Sequence, residues 1–154
     1  MDISIVIPLY NENESLAELT KKIISEVSAL NKKFEILFID DGSTDNSFEV
    51  LSGLKKDYPA IRIIQFRKNF GKSAGLSEGF KQARGEAVIT MDADLQDDPA
   101  EIANLLQKLD EGYDLVSGWK KKRNDPITKT VPSKLFNFIT RKLAESVFMI
   151  SIVD

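Results

Sequence analysis

Short apolar runs rich in branched residues alternate along this chain with longer stretches whose apolar positions recur at helical spacing. "ISIVIPL" (3–9) is apolar on both faces of a strand, as expected for a strand buried on both sides. The polar "NENES" follows with helix-capping chemistry. Leu16, Leu19, Ile23, Ile24, Val27 and Leu30 then mark a helix. "EILFID" (35–40) reads as a second buried strand, closed by the turn-rich "DGSTDNS". Phe48, Val50, Leu51 and Leu54 mark the next helix, and "IRIIQF" (61–66) a third strand. A helix over about 73–83 is stopped by Gly85, "AVITM" (87–91) is a fourth strand, Pro99 opens a helix to Leu109, and "DLVSG" (114–118) is a fifth strand.

Strands alternating with helices, each strand apolar on both faces, predict an α/β fold: a mostly parallel sheet with helices on both faces. Ligands of such open sheets lie beyond the carboxyl ends of the strands. "PLYNE", "DDGSTD", "DADLQDD" and "GWKKKR" all fall at those ends. The expected core is residues 1–118. Beyond it, "KKKRNDPITKTVP" carries two prolines and no apolar period, so a loop is expected. "SKLFNFITRKLAESVFMISI" shows a broad apolar stripe that predicts a helix, so residues 119–154 are expected to be a basic loop and an apolar helix of the same domain.

Composition narrows the chemistry. At 154 residues the chain is long enough for one domain with a real core. It has no cysteine and no histidine, which excludes disulfides, thiolate nucleophiles, histidine bases and zinc sites built on them. A metal here must be held by oxygen, which points to Mg²⁺, Mn²⁺ or Ca²⁺. The N-terminal apolar run lacks a basic leader and is too short for a signal peptide or membrane span, so a cytoplasmic location is expected. Charge is unevenly distributed. Between Trp119 and Lys142 eight lysines or arginines face Asp125 alone, a local +7 that leaves −10 elsewhere for the net −3. Such a block suits an anionic partner or a solvated loop. Nucleic acid is not expected, because Trp119 is the only aromatic residue beside the Lys120–Arg123 run and makes a poor stacking platform.

"MDADLQDDP" (91–99) sets four aspartates within nine residues after an apolar strand. Asp92, Asp94 and Gln96 alternate, so on an extended chain their side chains would face one cation, and Mg²⁺ or Mn²⁺ held this way keeps places for phosphate oxygens. The alternative is a solvated turn before the Pro99 helix. Glycine-based phosphate cradles are missing: "FGKS" has Phe66 where a P-loop needs glycine, and no G-x-G-x-x-G follows the first strand. Asp45, Asp97 and Asp98 are expected to be capping or surface residues, and Asp40 to close its turn.

Taken in order, "IVIPLYNE", "FIDDGSTDNS", "NFGKSAGLSEGF" and "TMDADLQDDPAEI" closely resemble the family 2 glycosyltransferases of the nucleotide-sugar-binding GT-A fold. "DADLQD" with "GYDLVSGWKKKR" and "PSKLFN" resembles their polyprenyl-phosphate branch, and the resemblance spans essentially the whole chain. It implies that Pro8, Tyr10, Glu12 and Asp41 line the nucleotide pocket, with Asp41 accepting from the base. It also implies that Asp92 and Ala93 border ribose and sugar, and that Asp94 is the main metal ligand with Gln96 assisting. Lys72 is a candidate for the diphosphate or simply a solvated lysine.

The implied reaction is inverting transfer of a hexosyl group from a UDP- or GDP-sugar to a polyprenyl phosphate, with Mg²⁺ or Mn²⁺ as cofactor. The acceptor phosphate is already ionised at neutral pH, so a chain without histidine can serve. Lys120 to Arg123 would meet the acceptor phosphate or an anionic membrane surface, Arg123 by direct contact. The implied place is the inner face of the cell membrane. The family continues with further segments beyond the position of Asp154, so the chain is expected to be a truncated catalytic domain. Two alternatives stay open: a saccharide acceptor, or a domain that only binds nucleotide sugar.

Overall fold

The computed structural model describes residues 1–118 and the strand backbone at 150–152. The element order is β1 (Ile3–Leu9), α1 (Leu16–Ser28), β2 (Phe34–Asp40), α2 (Ser47–Asp57), β3 (Ile61–Gln65), α3 (Lys72–Gln82), β4 (Ala87–Thr90), α4 (Glu101–Asp110), β5 (Ser117–Gly118) and β6 (Ile150–Ile152). The sheet runs β3-β2-β1-β4-β6-β5. All its pairings are parallel, Ile3 lying opposite Phe34 on one side and Ala87 on the other. Chain order runs outward from β1 through β2 to β3 and then returns to the other side of β1 with β4. That reversal is the topological switch point, where open α/β sheets form a crevice.

The alternation of side chains along β1 and β2 divides the core. Ile3, Ile5, Ile7, Ile36 and Phe38 join Leu16, Leu19, Ile23 and Ile102 under α1, α2 and α4. Val6, Leu37 and Ile39 face the other way, with Leu76 of α3. Helix α3 lies unusually close to the sheet. A Cβ on Gly79 would stand 2.3 Å from Cγ1 of Val6, so only glycine allows this approach.

The amino-terminal edge of the sheet is tied by a buried ionic network. Ser4 Oγ donates to Glu35 Oε1 at 2.7 Å, and Arg62 Nη1 donates to Glu35 Oε2 at 2.8 Å and to the Gln82 carbonyl at 2.9 Å. The backbone N–H of Arg84 donates to Glu35 Oε1 at 2.8 Å, fixing the α3–β4 turn. Burial pushes the Glu35 carboxyl up, but hydrogen bonds from Ser4, Arg62 and Arg84 together outweigh it and hold the group below its ordinary value.

Three expectations need correction. The fifth strand is shorter than expected, only Ser117–Gly118, and Leu115 before it is half exposed. The fourth ends at Thr90, so Asp92 to Gln96 are turn rather than extended chain. The end of the expected apolar helix, Ile150–Ile152, is a strand inserted between β4 and β5, pairing Ile89 with Ile150 and Ser117 with Ser151. The rest of that expected helix, the lysine-rich loop before it, and Asp154 lie outside the described residues.

Candidate nucleotide-sugar site

A cavity of about 260 Å³ opens at the switch point, above the carboxyl ends of β1 and β4. Pro8, Leu9, Tyr10 and Glu12 line it from the β1 end, and Asp41 from β2. Asn69, Gly71 and Lys72 contribute the α3 entrance, and Asp92, Ala93 and Asp94 the β4 end. The cavity is smaller than the roughly 300–1,000 Å³ of sites that enclose a drug-sized ligand. It would therefore enclose only part of a ligand of that size.

The loops around it are locked to one another by side chains bonding to backbone. Asn11, in the left-handed region at φ 58°, accepts through Oδ1 from the N–H of Thr44 at 2.8 Å. Its own N–H donates to Ser43 Oγ at 3.0 Å. The N–H of Glu12 donates to Ser47 Oγ at 3.0 Å, and that of Asn13 to Asp45 Oδ2 at 3.3 Å. "NENES" therefore fastens the β1–α1 loop to the β2–α2 loop, while no side chain caps α1. Burial raises the Asp45 carboxyl, but hydrogen bonds from Ser47 and Asn13 outweigh it and leave the group lowered.

Asp41 is buried, with both oxygens in use. Oδ1 accepts from the N–H of Phe70 at 2.7 Å and Oδ2 from that of Gly71 at 2.8 Å. A carboxylate has about four acceptor positions, so roughly two remain for a ligand. Asp40 beside it accepts from the Ser43 N–H at 2.9 Å, closing the turn as expected, and from Gln65 Nε2 at 3.1 Å. Gly42, at φ 71°, lets the turn press on the next loop, where a Cβ would meet the Lys68 carbonyl carbon at 2.5 Å. Phe70, edge-on to Phe66, remains largely exposed beside the cavity.

The aspartate-rich turn is organised from beneath. The N–H of Asp92 donates to Oδ2 of Asp97 at 2.9 Å, and Asp97 is itself buried. Sequence reasoning put Asp97 at a cap or on the surface; it is instead an internal support of the turn. Leu95, at φ 63°, reverses the chain, and Asp94 Oδ1 accepts from the Gln96 N–H at 3.0 Å. Asp98 accepts from the Ala100 N–H at 3.0 Å, serving the start of α4 as expected. Lys72 Nζ donates to Asp92 Oδ2 at 2.7 Å, so it pairs with an aspartate rather than standing free in solvent.

Of the residues singled out from sequence, Pro8, Tyr10, Glu12, Asp41, Lys72, Asp92, Ala93 and Asp94 all line this one cavity. Gln96 does not; it is exposed on the turn. Arg123 lies outside the described residues. Asn69, Gly71 and Leu9 were missed: a short polar or glycine position between strand and helix carries no periodic signal, and only the neighbouring "FGKS" pointed there.

The donor set suits a hard divalent cation, since the cavity offers oxygen donors, chiefly the carboxylates of Glu12, Asp41, Asp92 and Asp94, and no sulfur or imidazole. Burial pushes the Glu12 carboxyl up, and the negative charges of Asp94, Asp45 and Asp92 push it further, as expected of a cleft short of positive charge. Among the described residues no three acidic side chains are grouped to hold an ion by themselves. The carboxylates can then supply part of a shell, which fits Mg²⁺ or Mn²⁺ completed by phosphate oxygens and water.

Similar arrangements occur in known proteins. A structure of Staphylococcus aureus TarS, residues 1–349, superposes with a TM-score of 0.66 at 24% identity, over 82% of this chain and 38% of that one. The mannosyltransferase PcManGT from Pyrobaculum calidifontis, solved with GDP-Man and Mn²⁺, gives 0.62 at 24% identity over 70% and 32%. These share the GT-A fold. In sequence, the chain is 39% identical over 142 residues to the undecaprenyl-phosphate 4-deoxy-4-formamido-L-arabinose transferase of Shewanella sediminis, covering 91% of this chain and 43% of that protein. It is 40% identical to the one of Pseudomonas fluorescens over the same share of this chain and 42% of that protein. It thus spans less than half the length of these relatives. The family model for Glycosyl transferase family 2 matches residues 4–152, from β1 through β6, and the chain is a member of that family.

Proposed function

We propose that the switch-point cavity binds a UDP- or GDP-sugar and that the protein transfers its sugar to a polyprenyl phosphate. The observation that carries this reading is the convergence of Tyr10, Glu12, Asp41, Lys72, Asp92 and Asp94 on one cavity at the β1–β4 ends. Relatives sharing 39–40% identity are named for an undecaprenyl-phosphate acceptor, and fold neighbours were solved with UDP, UDP-GlcNAc or GDP-Man.

Each residue has a chemical part. Asp41, its turn already rigid, accepts an imide or amide N–H of the base through its remaining acceptor positions. Tyr10, exposed at the rim, offers a ring face to the base. Asp92 and Ala93 border ribose and sugar, and Lys72 reaches the diphosphate. Asp94, with Asp92, would hold a Mg²⁺ or Mn²⁺, with Gln96 assisting if the turn moves. When bound, such an ion neutralises charge on the departing diphosphate. An ionised acceptor phosphate attacks from the face opposite the nucleotide and needs no strong base, only orientation, which can supply roughly 7–11 kcal/mol of a barrier. Arg123 and the lysines before it are assigned to that phosphate and to the membrane surface. No helix among the described residues is long and apolar enough to cross a membrane.

The test is to incubate the protein with Mn²⁺, a panel of UDP- and GDP-sugars and a short-chain polyprenyl phosphate, and to identify products by mass spectrometry. A polyprenyl phosphate carrying one sugar is the expected product. Transfer to a saccharide instead, or donor binding with no transfer to the lipid, contradicts the acceptor assignment.

A further inference from the structure

Among the described residues Lys72 is the one cation lining a cavity that Glu12, Asp41, Asp92 and Asp94 also line. Its ammonium sits on Asp92 at 2.7 Å, where a divalent cation would compete for the same oxygens. We propose that Lys72 is an internal counter-ion that occupies Asp92 until a diphosphate draws it away, so that the protein takes its divalent cation together with the nucleotide rather than before it. This rests on the nucleotide-sugar reading above and adds an order of events to it.

Three features make the exchange possible. The backbone carrying Lys72 is fixed: it opens α3, the preceding Gly71 N–H is held by Asp41, and Gly75 and Gly79 seat the helix directly on β1 and β2. The side chain is not fixed, because it is 59% exposed and a lysine's four-carbon stem swings a compact charge. The ion pair is partly exposed on both sides, and such pairs are weak enough to be exchanged for a better anion. A diphosphate carries more charge than one carboxylate, so it wins the ammonium. Asp92 is thereby freed at the moment phosphate oxygens arrive to complete the cation's shell. Coupling of this kind is reciprocal, so the cation must raise nucleotide affinity by the factor with which nucleotide raises cation affinity.

The experiment titrates Mn²⁺ into wild type, Lys72→Met, Lys72→Arg and Lys68→Met, each with and without UDP or GDP, reading free Mn²⁺ by electron paramagnetic resonance. Lys68 projects over the Phe70 ring, outside the cavity lining, and controls for a general loss of positive charge. Lys72→Met should bind Mn²⁺ alone about two- to fivefold tighter than wild type, the scale of an exposed ion pair, and should lose a similar factor of Mn²⁺–nucleotide coupling. Lys72→Arg and Lys68→Met should stay near wild type. Circular dichroism confirms folding, and Lys72→Arg preserves the test if the methionine variant is unstable, since it must then retain the coupling. If Lys72→Met binds Mn²⁺ alone no tighter than wild type while both still bind nucleotide, or if Lys68→Met shows the same gain, the counter-ion role is overturned. Absence of nucleotide binding by wild type would overturn the nucleotide-sugar reading itself, while the Mn²⁺-only comparison still decides whether Lys72 guards Asp92.

Discussion

Asp41 joins an architectural role to the proposed recognition of the base. It bridges the N–H groups of Phe70 and Gly71, and so ties the end of β2 to the start of α3. It also lines the cavity. Asp41→Ala should weaken UDP or GDP by about tenfold or more, since a hydrogen bond to a charged group contributes about 1.5–3 kcal/mol, and should weaken inorganic diphosphate far less. Equal losses for both, measured by calorimetry, would reduce Asp41 to a structural tie. At this scale the sequence was informative wherever a residue's chemistry was rare in its setting: a carboxylate after a buried strand, or a lysine opening a helix. It was uninformative where a role depends on which atom is near. Asp97 reads like Asp98 in sequence, yet one supports the Asp92 backbone from inside and the other, exposed, accepts from the Ala100 N–H in the turn before α4.

At the scale of elements, two contacts set how α3 and the sheet fit. Gly79→Ala would force its methyl into Val6, and overpacking of this kind costs about 1–3 kcal/mol. Urea unfolding should show that loss, and should show recovery when Val6→Ala is added, because the two changes act on one contact. Glu35→Ala should also cost about 1–3 kcal/mol at pH 7, because it removes the carboxylate partner of the Arg62 guanidinium and of Ser4 Oγ and one of the two acceptors of the Arg84 N–H. Its pH dependence has a definite sign. The folded Glu35 carboxyl sits below its unfolded value of about 4.3, so its stabilisation is complete above that pH and fades as pH falls through the lower folded value. The gap between wild type and Glu35→Ala should therefore close on acidification; a gap independent of pH would remove the charge from the explanation. The first four strands were legible because branched apolar runs on both faces admit few other readings. Strand β6 was not. Ile150–Ile152 continues a helical stripe in sequence, and its pairing with Ile89 and Ser117 is a long-range choice with no local mark. "NENES" was misassigned to a helix cap for the same reason, its partners being residues 43–47 across the loop.

For the molecule as a whole, the reversal of chain order at β1 explains why the site is where it is. Loops leaving β1, β2 and β4, and the turn entering α3, are brought to one end, and their motifs meet there although they are spread over some 84 positions from Pro8 to Asp92. Among the described residues four carboxylates line the site against Lys72, a charge balance that, on the proposed reading, favours a metal-accompanied diphosphate over a bare anion. The most direct test of this account is a calorimetric titration of UDP and GDP into the protein in Mn²⁺ and in EDTA, with Asp94→Ala alongside. One nucleotide should bind per chain in Mn²⁺, binding should be at least about tenfold weaker in EDTA, and Asp94→Ala should be insensitive to the metal. Equal affinity in Mn²⁺ and EDTA, or full metal enhancement in Asp94→Ala, would contradict it.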